Sequence, residues 1–358
     1  MLKILFAYYY PSGGVETLAR QRTSALKPYG VSFDYLYYAN GPGLQNIENE
    51  TIFVASSDKE IKAIITQGQY DAIIVCSDHL FLERARRLNY EGVLIYEVQG
   101  LGDYAAADYW LRDAKEIVHA HANAILYPHT PHLISLINQY YPSKNKYCFH
   151  NCLDITQFSY RKTGGTYPPI AGWVGRLEEN KNWRDFLKIG ASLIKTHPQL
   201  KLWIFEDNTL AAAKEKLDFE ELIKELKIES HIEVFNNVPH KEMAGYYSKI
   251  GDSGGFLCTT SKVEGFGYSV LEAMSCRCPV LASNSDGILS FIHHNHTGML
   301  FQQGDLRAAV KQGNELLLNR HLRANIINAA SLHIQMHFTP ELYAENFISM
   351  LRELQLMS

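Results

Sequence analysis

Short runs of β-branched and aromatic residues alternate with longer helix-patterned stretches along nearly the whole chain. Nothing else in the sequence constrains the fold as tightly. Strands are expected at 2–7, 32–37, 52–54, 71–76, 93–96, 123–127 and 147–149, then at 170–174, 201–205, 232–234, 254–258 and 279–282. A helix is expected from about Gly14 to Lys27, with Val15, Leu18, Ala19 and Leu26 in the i, i+3, i+4 rhythm and Pro28 ending it. Further helices are expected at 182–196, 209–226, 240–249 and 268–276, and a last one at 340–354 beyond a polar gap. Strands separated by helices pair in parallel, with helices on both faces of the sheet. Twelve strands are many for one twisted open sheet, so the expected class is α/β with two Rossmann-like, doubly wound parallel-sheet domains. The natural cut lies in 159–169, which lacks apolar periodicity and clusters Gly and Pro. A first domain over 1–165 and a second over 166–339 follow, and the helix within 340–358 can pack on either. Such domains bind ligand at the carboxyl ends of their strands.

At 358 residues the chain is long enough for two such domains. A hydrophobic share of 46% and a charged share of 20% exclude disordered and fibrous classes. The 34 basic and 38 acidic residues give a net charge of −4. That balance offers no footprint for nucleic acid and no polybasic membrane anchor. The opening apolar run Met1–Ala7 is too short for a signal segment or a membrane span. Cysteines at 76, 148, 152, 258, 276 and 278 then read as free thiols of a reducing compartment, and a cytoplasmic location is expected. Cys276 and Cys278 stand too close for the usual paired zinc ligands. Tyrosine is unevenly spread: of 22, 18 lie up to Tyr167 and four beyond it.

Three stretches carry chemistry. Ser261-Lys262-Val263-Glu264-Gly265-Phe266-Gly267-Tyr268 follows a buried-looking strand and opens a helix. Gly265 and Gly267 let the backbone approach a ligand, and the helix start offers N–H groups to phosphate. Glu272 falls inside the apolar run Val270–Met274, where a carboxylate needs a partner, and sugar hydroxyls are suitable. In the second stretch Gly175 precedes Arg176, and Lys181 stands five residues further on at a helix start. Two cations there suit a diphosphate, or bridge to Glu178 and Glu179 as a surface pair. The third is the turn Pro11–Glu16, where Gly13-Gly14 is similar to a glycine-rich phosphate turn without the full G-x-G-x-x-G pattern. Among the histidines, His79 follows the strand at 71–76, where it either lines a cleft or serves as a plain cap or surface residue. His119 and His121 alternate at a helix end, and His293, His294 and His296 read as a solvated loop.

Together these residues mark a family. Glu264 and Glu272 form an E-x7-E motif around Glu-Gly-Phe-Gly, and Gly175-Arg176-Leu177 with Lys181 matches G-R-L-x-x-x-K. Asn151-Cys152-Leu153-Asp154 stands where N-G-V-D is usual, and Val238-Pro239-His240-Lys241-Glu242 precedes the last donor-binding strand. The sequence resembles the retaining GT-B glycosyltransferases of glycosyltransferase family 4. The resemblance implies GT-B architecture, two Rossmann-like domains facing a cleft, with the C-terminal helix crossing back to the first. It implies that Arg176 and Lys181 hold the donor diphosphate, that Glu272 binds the ribose hydroxyls and that Glu264 faces the transferred sugar. Backbone amides around Gly265, Phe266, Gly267 and Tyr268 add phosphate contacts, Asn237 and Val238 border the nucleobase, and Gly13 and Gly14 close over the donor. Catalysis is assigned to Glu264, Arg176, Lys181 and Gln99, with no cofactor and no metal, because the cations and helix amides stabilise the leaving diphosphate.

The implied reaction moves a hexosyl group from a nucleotide-sugar, a UDP-sugar first and GDP-mannose next, to a glycan, lipid-linked or small-molecule acceptor. Anomeric configuration is retained through front-face attack, and transient membrane contact fits a lipid-linked acceptor. Tyr10, Tyr104 and His79 are expected on the acceptor side, where aromatic faces stack on sugars. Two positions depart from the family pattern. Gln99 stands where many relatives have His, and an amide cannot act as a base. Glu97 is the nearest ionisable residue, pointed by alternation away from the face of Tyr96 and Val98. Asp286 and Ser290 replace a usual glycine and glutamate. A GT-B sugar-nucleotide epimerase and a non-catalytic nucleotide-sugar-binding subunit are the competing readings.

Overall fold

The computed structural model describes residues 2–47 and 50–357; Met1, Glu48, Asn49 and Ser358, the first and last ends of the expected 1–165 and 340–358 segments among them, lie outside the described residues. The chain divides into two units, residues 1–154 with 337–358 and residues 155–336. In the first, β1 (Leu2–Tyr8), α1 (Gly13–Leu26), β2 (Val31–Tyr37), β3 (Thr51–Val54), α2 (Asp58–Gly68), β4 (Ala72–Cys76) and α3 (His79–Arg87) follow one another. Next come β5 (Val93–Glu97), α4 (Tyr104–Asp113), α5 (Lys115–His121), β6 (Ala124–Tyr127), α6 (Pro131–Tyr140) and β7 (Asn145–Cys148). The second holds β8 (Ile170–Val174), α7 (Trp183–Thr196), β9 (Lys201–Glu206), α8 (Ala213–Leu226), β10 (Ile232–Asn236), α9 (Met243–Asp252) and β11 (Phe256–Thr259). It continues through α10 (Tyr268–Ser275), β12 (Val280–Ser283), β13 (Met299–Phe301), α11 (Leu306–Leu318) and α12 (Arg320–His337), before α13 (Pro340–Glu353) closes the chain.

Among the described residues the first sheet has seven strands, ordered β3-β2-β1-β4-β5-β6-β7, and the second six, ordered β10-β9-β8-β11-β12-β13. Every pairing is parallel. The expected fold class, two doubly wound parallel-sheet α/β domains, is the one observed. Both orders reverse direction once, between β1 and β4 and between β8 and β11, and ligands bind at such switch points. Central strands such as β4 (Ala-Ile-Ile-Val-Cys) are buried along their whole length because helices cover both faces. Edge strand β10 instead exposes Glu233 and Val234. Pro28 stops α1, and Gly30, at φ +75°, turns the chain into β2.

Three features differ from the sequence reading. The boundary expected at 165/166 falls at Asp154/Ile155, because the intervening residues bond to the second unit. Arg161 N donates to Ser248 Oγ at 3.0 Å, Thr163 Oγ1 to Asp252 at 2.7 Å, and Ser275 Oγ to the Phe158 carbonyl at 2.6 Å. Hydrogen bonds decide where such an aperiodic segment belongs. The polar gap before 340 is filled by α11 and α12. Helix α12 buries Ile326, Ala330 and Ile334 four residues apart, and Arg323 donates to the carbonyls of Gly255 and Gly251 at 2.6 and 2.8 Å. A buried arginine satisfied by carbonyls makes a packed helix read as polar. Strand β13 is only three residues long, too short to register as a pattern. Helix α13 packs within the first unit, where the Tyr343 hydroxyl accepts from Arg22 Nε at 2.8 Å and Phe347 meets Phe33 edge-on at 6.3 Å. Among the described residues no helix is long and apolar enough to cross a membrane.

Candidate functional site

In the second unit, the loops leaving β8 and β11 meet at the switch point and are stitched together. The Asn180 amide donates to the Val263 carbonyl and accepts from Val263 N, both at 3.1 Å, while Lys262 N donates to the Asn180 carbonyl at 2.8 Å. The Thr260 hydroxyl reaches the carbonyls of Lys181 and Asn182 at 3.0 and 2.9 Å. This clamp sets Lys181 beside Glu264: the ammonium donates to Oε1 at 2.5 Å, and Ser261 Oγ donates to the same oxygen at 2.6 Å. Gly287 supports the turn from below, its N–H donating to the Glu264 carbonyl at 3.1 Å. A Cβ there would sit 2.3 Å from that carbonyl oxygen, so only glycine fits. Gly267, at φ +86°, caps α10, and Phe266 and Tyr268 beside it are buried edge-to-face at 4.9 Å. Arg176 pairs with Glu178 at 3.2 Å, with both side chains partly exposed, while Glu179 goes to Lys262. The surface-pair alternative is therefore realised for Glu178, not for Glu179.

Glu272 is buried, as its apolar neighbours required, and the protein itself supplies its partners. His240 Nε2 lies 2.8 Å from Oε1, and the Tyr247 hydroxyl donates to Oε2 at 3.1 Å. Burial and then the adjacent Glu272 carboxylate push the Tyr247 pKa well above its ordinary value. Asn237 follows β10 at φ +50°, its N–H donating to the Glu206 carbonyl at 2.9 Å and its amide to Asn208 Oδ1 at 3.3 Å. Val238, next in the loop, is half-buried. The two charged clusters, Lys181–Glu264 and Glu272–His240, thus sit on loops and a helix that the β8–β11 switch brings to one end of one sheet.

Gln99, Gly13, Gly14, Tyr10, Tyr104 and His79 all belong to the first unit. Gly13 takes φ +65° at the start of α1 with no atom near its missing Cβ, so its conformation, not space, demands glycine. Gly14 continues that helix. Gln99 is half-buried and tied down by its own amide, which donates to Glu97 Oε1 at 3.0 Å and to Asn151 Oδ1 at 3.3 Å. Its Oε1 accepts from Asn151 Nδ2 at 3.1 Å. With both amide hydrogens engaged, the group has only acceptor capacity left for a ligand. Glu97, the nearest ionisable residue, is fully buried and ion-paired with Arg22, so it does not stand in for the histidine that Gln99 replaces. Burial alone would lower the Arg22 pKa, but Glu97 and Tyr343 raise it above the ordinary value. His79 is nearly buried, with Nε2 3.3 Å from Asp113 Oδ2. Tyr10 and Tyr104 are exposed, and Tyr104 opens α4 after the N-cap Asp103. Tyr35 and Tyr37 are core residues.

Sequence reading missed Asn180, Ser261, His240, Tyr247, Gly287, Asn151 and Arg22 as supporting residues. Ser261, Asn151 and His240 lie inside the motif stretches without a role being assigned to them, and Arg22 and Tyr247 show as polar residues at otherwise apolar helix positions. Among the described residues no three His, Cys, Asp or Glu side chains come close enough to share a metal ion.

Residues 159–333, nearly the whole second unit, match the family model for glycosyl transferases group 1. An uncharacterized glycosyltransferase of Haemophilus influenzae is 28% identical over 175 residues, covering 49% of this chain and 44% of that protein. D-inositol 3-phosphate glycosyltransferase of Corynebacterium jeikeium is 27% identical over 181 residues, covering 50% and 42%. The match therefore spans less than half the length of these relatives. Over the whole chain, sucrose-phosphate synthase from Thermosynechococcus elongatus superposes with a TM-score of 0.83 at 17% identity, covering 100% of both chains. Anabaena HepE in complex with UDP-glucose gives 0.81 at 17%, covering 99% and 100%. The fold is GT-B.

Proposed function

We propose that this chain is a glycosyltransferase that moves a hexosyl group from a nucleotide-sugar, a UDP-sugar first, to a glycan, lipid-linked or small-molecule acceptor, with retention and without a metal. The observation that carries the reading is the Lys181–Glu264 pair at the strand switch, within reach of solvent and beside the glycine turn that caps α10. The structural likeness to a protein crystallised with UDP-glucose supports a UDP-sugar donor.

The chemistry follows from charge. Breaking the glycosyl–phosphate bond leaves extra negative charge on a nucleoside diphosphate and oxocarbenium character on the sugar. Lys181 and Arg176 are held at the site by Glu264 and Glu178 in pairs that solvent reaches, and can turn to the diphosphate. Preorganised cations and helix-start N–H groups stabilise that leaving group. Glu264, released from Lys181, then accepts from sugar hydroxyls, and Glu272 with His240 and Tyr247 offers a buried cradle for the ribose hydroxyls. The departing phosphate oxygen takes the acceptor proton, so no side-chain base is required. Gln99 contributes an accepting oxygen and no proton transfer.

The deciding experiment incubates the purified chain with a panel of nucleotide-sugars and measures melting temperature and nucleotide release, with and without EDTA. A rise in melting temperature with one donor, and release unaffected by EDTA, are expected. If no nucleotide-sugar stabilises the protein or is consumed, the transferase reading fails.

A further inference from the structure

Glu206 ends β9 at the same sheet edge that carries Arg176 and Asn237, and none of the roles assigned so far uses it. The parallel register sets it opposite Asn236 of β10. On its other side Phe205 pairs with Val174 and its carbonyl accepts from Gly175 N at 3.0 Å, so the next row places Glu206 beside Gly175. The residue thus stands between the strand end that launches Arg176 and the one that launches Asn237 and Val238. Its own carbonyl holds the Asn237 turn through the 2.9 Å bond.

The carboxyl group is unusual. Oε2 is shut off from solvent and has no hydrogen-bond partner among the described residues. Burial raises the Glu206 pKa; Lys216 opposes that shift and Asp207 adds to it. The Lys216 ammonium is itself engaged elsewhere, donating to the Asn208 carbonyl at 2.5 Å. A desolvated carboxylate oxygen left unpaired is costly, and proteins keep such groups where function uses them.

We propose that Glu206 is a donor-specificity residue whose carboxyl accepts a hydrogen bond from an N–H of the nucleobase in a bound nucleoside diphosphate. The proposal rests on the nucleotide-sugar reading above. A phosphate is the wrong partner for a carboxylate, since like charges repel. The ribose hydroxyls have Glu272, whose two oxygens face His240 and Tyr247 past the Asn237 loop, whereas Glu206 ends β9 at the start of that loop, its carbonyl holding Asn237. What remains on that side is the base, whose edges differ in the number and placement of their N–H donors. A group able only to accept discriminates by that pattern, because an analogue lacking the donor leaves the buried oxygen unpaired.

The test is calorimetric titration of the full chain with UDP, GDP and inorganic pyrophosphate, for wild type, Glu206→Ala and Glu206→Gln. Glu206→Ala is expected to weaken the preferred nucleoside diphosphate by about tenfold or more, the scale of a hydrogen bond to a charged group, while pyrophosphate binding stays within about twofold. Glu206→Gln keeps the shape but adds N–H donors, and is expected to change the UDP-to-GDP affinity ratio by about threefold or more. If Glu206→Ala fails to fold, the glutamine variant decides by that ratio. Equal losses for nucleotide and pyrophosphate, or no loss for either with an unchanged ratio, overturn the proposal. A wild type that binds neither UDP nor GDP overturns the nucleotide-sugar reading itself, a different failure from a normal binder indifferent to Glu206.

Discussion

At the carboxyl edge of the second sheet, Arg176, Lys181 and Glu264 stay within reach of solvent. At the same edge of the first, Arg22 and Glu97 are sealed in the core, and an amide and several tyrosines remain at the surface. Both sheets follow one topological scheme, so the difference lies in side chains, not in strand order. An exposed cation can change partners when an anion arrives, whereas a buried ion pair cannot release either member without leaving a bare charge. The second unit thus keeps cations that can turn to an incoming anion, whereas the first seals its Arg22–Glu97 pair and leaves an amide and tyrosines in reach.

The sharpest way to break this contrast is to remove one arginine from each unit. Arg22→Met strands Glu97 in the core and is expected to cost about 3–5 kcal/mol in urea unfolding. Arg176→Met, whose pair is partly exposed, is expected to change stability by less than about 0.5 kcal/mol. Comparable costs would show that burial does not separate the two edges. Next in size is Lys181→Ala, expected to lower kcat for sugar transfer by about 10²- to 10³-fold, the loss typical of one transition-state donor. A normal rate would take Lys181 out of the machinery. Gly287→Ala forces a Cβ against the Glu264 carbonyl and is expected to cost about 1–3 kcal/mol by overpacking, with a parallel fall in activity. Calorimetry on the variant gives the number.

The smallest expected effect uses the tyrosines. Burial, before the Asp78 charge, pushes Tyr9 up to about 12; burial does the same for Tyr127 and Tyr147, ahead of Cys148 and Glu353 respectively. All three lie in the first unit. Folding keeps these phenols neutral, while the unfolded chain ionises them near pH 10 and releases protons. The stability they allow is therefore fully present below pH 10 and is lost as pH rises from about 10 through about 12. Each unit also carries three free cysteines, so the thiols do not by count separate the two. Between pH 9 and 11 the first unit is expected to lose on the order of a few degrees more in melting temperature than the second. Limited proteolysis along the titration distinguishes the units, and simultaneous loss would remove tyrosine burial as a distinguishing feature.

Much of this was legible in the residues. Strand β8 falls at 170–174 as expected, and the E-x7-E and G-R-L-x-x-x-K motifs lie on loops and a helix of one sheet end. Apolar periodicity and glycine turns are local, so a sequence displays them directly. The unit boundary was harder to place, because Thr163 and Arg161 are claimed by hydrogen bonds to Asp252 and Ser248, some ninety positions away. Gln99 was recognisable as a departure from the family pattern. Its restriction to an accepting role was not, since that depends on Asn151, 52 residues on, and on Glu97 being held by Arg22.

The sequence by itself determined the alternation of strands and helices, the parallel class of both sheets and the places where glycine must turn the chain. These depend on neighbours a few residues apart. The tertiary structure decided which charges meet: Arg22 with Glu97 across 75 residues, Lys181 with Glu264 across 83, and Glu206 with no partner at all among the described residues. The reason is geometric. Electrostatic pairing acts over a few ångströms, and which strand ends come that close is set by sheet order, with β8 between β9 and β11.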